Sequence, residues 1–306
     1  EDIRVRIMVD SIGNMLAMQA DPESLPADHE HPASMRLYLE QDSNVGVRNM
    51  TNPWFTGDHT KTTIIDEKVA FVGGMNIGRE YRYDWHDLMM ELRGPVIAEL
   101  DVEFDDAWAH AGYAGDLGLA LSRASRSAGG KNGDGVPLRV LHTRPGIAEI
   151  FRAQRAAIRN ARKYIYIENA YFTSDDILFE LAQARRRGVD VRVILPLESD
   201  SGIIDRSNVR AINTMLANGI RVYIYPGPSH IKGAVYDGWI CLGSANFDQL
   251  SLRMNKELNI ASSSPVAVQQ FMDNVILPDL ERSVELREPL PEKWSDYLLE
   301  TLADQL

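Results

Sequence analysis

The chain of 306 residues has a single cysteine, Cys241, so no intrachain disulfide can form, and cysteine usage does not choose between cytosol and periplasm. No apolar run approaches the roughly 20 residues of a membrane-spanning helix. Basic residues are the minority, 32 against 44 acidic, which gives a formal net charge of −12. That balance disfavours nucleic acid as the main partner, since proteins that grip phosphate backbones carry a basic surplus. It also opposes casual adhesion to an anionic membrane. The chain opens on Glu1, and "IRVRIMVD" directly after it reads as a buried strand, so a preceding segment, with any targeting signal, is expected.

What is present is enough to build a core: 44% hydrophobic residues over this length suit one large domain or two moderate ones. The second half alternates cleanly. "GIAEIFRAQRAAIRNAR" (146–162) puts Ile147, Ile150, Phe151, Gln154 and Ile158 near one helical face, and "KYIYIE" follows as a strand. A capped helix then ends at Gly188, "VDVRVILPL" is the next strand, and a further helix ends at Asn218-Gly219 before the strand "IRVYIYP". This rhythm predicts an α/β protein with a mainly parallel sheet under helices.

The first half repeats the plan with its opening elements missing and an insertion around 21–34. "RVRIMVDSIG" aligns with "DVRVILPLESDSG". We read an internal duplication: residues 1–121 form a first half, the Ser/Gly-rich stretch 122–137 a linker, and 138–306 a second half. The helix "GPVIAELDVEFDDAWAHAG" (94–112) would bury Ile97, Leu100, Phe104 and Trp108, and 265–286 would be mostly helical with a break near Pro278.

The sharpest repeat is short. "HTKTTIID" at 59–66 and "HIKGAVYD" at 230–237 share the pattern H-x-K-x-x-x-x-D, and all three residues are displaced by 171 positions. Each copy continues into a hairpin that returns through "GGMN" or "GSAN". Residues two apart on a strand share a face, so His59 points with Lys61 and His230 with Lys232, and the returns bring Asn76 and Asn246 to the same end. Two imidazoles, two ammoniums and two amides suit transfer at a phosphodiester. The lysines and asparagines would bind the non-bridging oxygens, one imidazole would attack phosphorus, and the other would protonate the leaving alcohol. Two lysines already neutralise the phosphate, so no metal or other cofactor is expected. Asp87 and Glu257, 28 and 27 residues past the histidines, are candidates to orient them, with the pairing left open. Asp66 and Asp237 belong to the motif and are grouped with the catalytic set, although their place at the hairpin bends suits backbone hydrogen bonding better than proton transfer.

The duplicated motif resembles the signature of the phospholipase D superfamily, and "DHTKTTIIDEKVAFVGGMNIGREY" with "WHDLMMELRGP" is most similar to bacterial phospholipases D and cardiolipin synthases. The resemblance implies a fold of two pseudo-twofold-related halves, each a mixed sheet flanked by helices, with one active site at their junction. It also implies hydrolysis or transfer of a phosphatidyl group through a phosphohistidine, His59 being the nucleophile and His230 the acid and base. The implied partners are a phospholipid, a water or alcohol acceptor and a membrane surface, in a peripheral, secreted or periplasmic bacterial setting. A metal-independent nucleic-acid phosphodiesterase is the rival. Gly233, where many relatives carry a larger residue, is expected to loosen the second phosphate pocket.

Other features have plainer readings. His86 is taken as structural, "ARRRG" (184–188) as a solvated helix end, and "DHEHP" (28–32) as no metal site for want of further ligands. The aromatics in 53–55, 81–85 and 170–172 are core packing or a lipid-facing rim.

Overall fold

The structure, a computed structural model, describes residues 3–11, 34–50, 56–112, 135–197 and 202–292, together with positions 115, 117, 120 and 121. The stretch 28–32, the aromatics at 53–55 and most of the proposed linker lie outside the described residues. Two compact units emerge, Glu1–Asp58 with Pro95–Asn132, and His59–Gly94 with Gly133–Leu306. The segment carrying the first motif is therefore part of the same unit as the second.

In the smaller unit, β1 (Val5–Asp10) pairs in parallel with β2 (Val45–Met50). Between them lies the helix Met35–Glu40, whose first turn is capped where the Ser34 hydroxyl accepts from Leu37 N–H. The helix Val96–His110 buries Ile97 and Leu100 as expected. Phe104 and Trp108 are only half-buried: the Arg6 guanidinium sits 5.0 Å from the Phe104 ring centroid and that of Arg48 sits 4.2 Å from Trp108.

The larger unit holds two sheets. β3 (Thr62–Ile65), β4 (Val69–Gly73) and β5 (Met89–Arg93) form an antiparallel ladder. The other sheet has nine strands: β6 (Arg139–Arg144), β7 (Ile147–Ala148), β8 (Tyr164–Asn169), β9 (Asp190–Pro196), β10 (Arg221–Tyr225), β11 (Lys232–Tyr236), β12 (Trp239–Gly243), β13 (Glu257–Ser262) and β14 (Val284–Leu286). Their order is β14-β10-β9-β8-β11-β12-β13-β6-β7. Only β8–β9 and β9–β10 pair in parallel. The expectation of a mainly parallel sheet is corrected to a mixed one. The motif hairpin β11–β12 enters antiparallel to β8 and carries every later strand on that side with it.

Helices Glu149–Asn160, Asp175–Arg186 and Gly202–Ala217 connect the strands up to β10. The first buries Ile150, Phe151, Gln154 and Ile158, whereas Ile147 falls in the short strand β7 and is 46% exposed. The glycines that end the next two helices take left-handed backbone, φ +90° at Gly188 and +72° at Gly219. Arg185 and Arg187 of the presumed solvated end donate to the carbonyls of Gly219 and Ile158, tying helix ends together. One face of the central strands is wholly buried, with Ile165, Ile167, Val191, Val193 and Leu195 at 0% exposure, while Tyr164, Tyr166, Asp190 and Arg192 on the other face are half-buried.

Beyond β13 the chain runs helical through Pro265–Phe271 and Leu277–Arg282, joined by one wider turn, Met272–Ile276. That widening precedes Pro278, which has no N–H to continue the ordinary bond pattern. Phe271 corrects the expectation for Gly233. A Cβ on Gly233 would lie 2.6 Å from the Phe271 ring, so this residue faces the C-terminal helix, opposite to Lys232, and does not line a phosphate pocket.

Candidate active site

The two motif hairpins share one construction. Thr62 opposes Val72 and Ile65 opposes Val69 in the first; Gly233 opposes Leu242 and Tyr236 opposes Trp239 in the second. The bends place Asp66 and Asp237 in left-handed backbone at φ +51° each. Both lie at the far end of their hairpins from the histidines. Asp237 accepts from the backbone N–H groups of Arg162, Lys163 and Tyr164 at 2.9–3.0 Å. Burial works against its charge, yet these donors hold its carboxyl below the ordinary range. Asp66 and Asp237 accordingly stand at the bends of their hairpins, away from the two imidazoles.

At the other end the hairpins exchange partners. His59 N–H donates to the Lys256 carbonyl at 2.9 Å, and His230 N–H to the His86 carbonyl at 2.7 Å. The rings follow the same crossing: His59 Nδ1 lies 3.0 Å from Glu257 Oε2, and His230 Nδ1 lies 2.8 Å from Asp87 Oδ2. Each histidine thus takes its carboxylate from the segment that follows the other motif. With Nδ1–H held by a carboxylate, Nε2 carries the lone pair in the neutral ring.

The small residues after each hairpin permit this crossing. A Cβ on Gly73 would collide with the Leu88 carbonyl oxygen, and one on Gly243 with that of Leu258. One residue on, the backbone N–H groups of Gly74 and Ser244 donate to those same carbonyls at 3.0 and 3.1 Å. Leu88 and Leu258 directly follow the two carboxylates, so the tight turn sets where each carboxylate stands. The copies then diverge. A Cβ on Gly74 would lie 2.6 Å from Asp87 Oδ1, whereas Ser244 has a side chain there and its hydroxyl donates to Glu257 Oε2 at 2.5 Å. Ser244 is a residue that motif reading missed; its place in "GSAN" was the only signal.

The lysines repeat one geometry. Lys61 Nζ donates to the His59 carbonyl at 2.8 Å and Lys232 Nζ to the His230 carbonyl at 2.7 Å. Both are buried. The asparagines do not match: Asn246 is buried and its Oδ1 has no hydrogen-bond partner among the described residues, while Asn76 is exposed and donates to the Tyr81 hydroxyl at 3.0 Å.

Three aromatic rings pack on His230, Trp85 at 5.3 Å between centroids, Tyr81 at 5.4 Å and Tyr171 at 6.4 Å. The sequence clusters at 81–85 and 170–172 contribute here as walls of the histidine, and Phe172 is fully buried. Burial first, then the charge of Lys232, lowers the His230 pKa to about 4, against the pull of Asp87; Lys61 adds to the lowering. His230 is neutral at physiological pH in the substrate-free site. Its side chain is 6% exposed, that of His59 30%.

Residues 155–275 match the family described as "Cardiolipin synthase, PLD-like domain". The chain is 28% identical to a cardiolipin synthase of Clostridium perfringens over 295 residues, 92% of this chain and 60% of that protein. It is 29% identical to cardiolipin synthase A of Escherichia coli over 273 residues, 85% of this chain and 54% of that protein. Over residues 155–275 the chain is similar to the PLD-like domain of cardiolipin synthases. It spans little more than half the length of these curated relatives. The phospholipase D-type fold is shared with the phosphatidylserine synthase of Haemophilus influenzae, at TM-score 0.61 and 13% identity over 85% of this chain and 71% of that one. Among the described residues no helix is long and apolar enough to cross a membrane.

Proposed function

We propose that this phospholipase D-type chain carries out phosphatidyl transfer on a phospholipid, the acceptor being a lipid alcohol or water. The observation that carries the reading is the crossed pair of histidine–carboxylate contacts, with a buried lysine beside each. The names of the curated relatives, cardiolipin synthases, favour an alcohol acceptor.

In the first step His59 Nε2 forms a bond to phosphorus as the bond to the leaving oxygen breaks, and His230 Nε2–H protonates that oxygen. In the second step His230 Nε2 takes the proton of the acceptor hydroxyl, whose oxygen bonds to phosphorus as the phosphorus–nitrogen bond breaks. Lys61 and Lys232 hold the non-bridging oxygens and oppose the charge that builds on them; the amide N–H groups of the buried Asn246 are suited to donate to the same oxygens. Glu257 and Asp87 keep both rings in the Nδ1–H tautomer and stabilise the imidazolium forms.

His230 has to gain its proton after the substrate arrives. The anionic diester opposes the charges of Lys232 and Lys61 and so removes part of what lowers the His230 pKa. The neutrality of His230 in the free site favours a second reading, in which His230 attacks and the more exposed His59 moves the proton.

The test is incubation with phosphatidylglycerol vesicles, products read by mass spectrometry, beside His59→Ala and His230→Ala. Cardiolipin or phosphatidic acid from the intact protein alone supports the reading. Neither product, on phosphatidylglycerol, phosphatidylcholine or phosphatidylethanolamine, sinks it, and nucleic-acid diesters become the next substrates to try.

A further inference from the structure

Asp87 and His230 face the reaction, and the residues just before them face the other way. His86 and Ser229 form a parallel bridge, so their side chains lie on the opposite side of these extended segments. There the Ser229 hydroxyl donates to Glu168 Oε1 at 2.8 Å, and His86 Nε2 lies 2.7 Å from Asp279 Oδ2. One donor atom each from His86, Glu168 and Asp279 lie within 4.8 Å of one another. Glu168 and Asp279 are almost wholly buried, and among the described residues Glu168 Oε2 has no hydrogen-bond partner. The Tyr225 ring stacks on His86 at 4.7 Å between centroids and limits its rotation.

Two carboxylates removed from water need a compensating charge. Among the described residues, the arginine paired with Asp279 is Arg282, 3.7 Å from its Oδ1 with a side chain 60% exposed, which makes it a weak partner. We propose that His86, Glu168 and Asp279 bind a divalent transition-metal ion of the zinc class, which ties together β8, the helix Leu277–Arg282 and the segment entering β5. One imidazole and two carboxylates suit zinc, while an imidazole donor disfavours magnesium or calcium. The ion would be structural: it lies behind the histidine pair and takes no part in the transfer steps. Its competitor is a proton. Carboxylate and imidazole ligands hold zinc only in their deprotonated forms, so a proton at these groups opposes the metal.

The experiment uses the full chain, stripped with a chelator and dialysed against zinc, with bound metal counted by plasma mass spectrometry and the site probed by cobalt(II) absorption. One equivalent per chain is expected, with affinity falling about 10- to 100-fold in both Glu168→Gln and His86→Gln. Retention of no zinc by the intact chain overturns the proposal and leaves the proton as the occupant. Zinc retained equally by both variants overturns it as well, because other histidines then take the metal. Should Glu168→Gln fail to fold, His86→Gln at its part-exposed position decides alone. None of these outcomes depends on phosphatidyl transfer being the activity.

Discussion

The first motif copy is the open one and the second the enclosed one. His230 sits under three aromatic rings beside a lysine that is 2% exposed, while His59 keeps nearly a third of its side chain in contact with solvent. Asn246 is buried and Asn76 is not. An almost identical motif therefore yields two chemically different histidines, and what differs is the surroundings. The rings come from sequence that neither motif contains. On the proposed reading the open copy supplies the nucleophile and the enclosed copy moves the protons, so the two roles fall on rings with unlike surroundings.

Removing either imidazole gives the largest expected effect. His59→Ala and His230→Ala should each lose about 10³-fold or more in kcat, because each histidine acts in both steps. A variant retaining most of its turnover would remove that histidine from the mechanism.

Next come the crossed carboxylates. Asp87→Asn and Glu257→Gln should each lower kcat by about 10²-fold or more with little change in KM, by releasing the tautomer of the opposite motif's histidine. Imidazole nitrogen NMR reads the pairing directly: Asp87→Asn should move the His230 ring signals and leave those of His59. Movement of the His59 ring instead would break the crossed assignment.

The enclosure of His230 also has a pH signature. Its folded pKa, about 4, lies below the ordinary value, so between that value and about 6.5 the unfolded chain binds more protons. The stability this neutral histidine contributes is present above the unfolded pKa and is lost as pH falls toward 4. His230→Gln should flatten that part of the dependence of Tm on pH. An unchanged profile would mean that burial does not govern this ring.

The smallest effect belongs to the hairpin bend. Asp237→Ala should cost about 1–3 kcal/mol by leaving three backbone donors without their acceptor, with kcat per folded molecule kept within a few-fold. A denaturant titration beside an activity assay checks both parts, and a selective loss of kcat would give Asp237 a catalytic role instead.

Much of this was legible in the chain itself, for stated reasons. Period-two and period-3.6 patterns marked the strands and helices of the second half, and repetition marked His59, Lys61, His230 and Lys232. Asp87 and Glu257 could be nominated by their matched offsets, but not paired, because pairing depends on how distant segments meet. The mixed sheet followed from the resemblance but not from the strand–helix rhythm, since strand direction is decided by three-dimensional connection and not by composition. Gly233 misled for a simpler reason: on a strand, the neighbour of a site residue points away from the site. Ser244 and the rings around His230 carry no periodic signal and became visible only once packed.

The central claim is that two crossed histidines exchange a phosphatidyl group, one of them holding it covalently. Its most direct test is a rapid denaturing quench at alkaline pH during turnover of phosphatidylglycerol, with the protein's peptides mapped by mass spectrometry. The account predicts a phosphatidyl adduct on the peptide containing His59, accumulating in His230→Ala, where the second step is slowed more than the first. An adduct on the His230 peptide would exchange the two roles. Turnover with no adduct on either histidine would contradict covalent exchange.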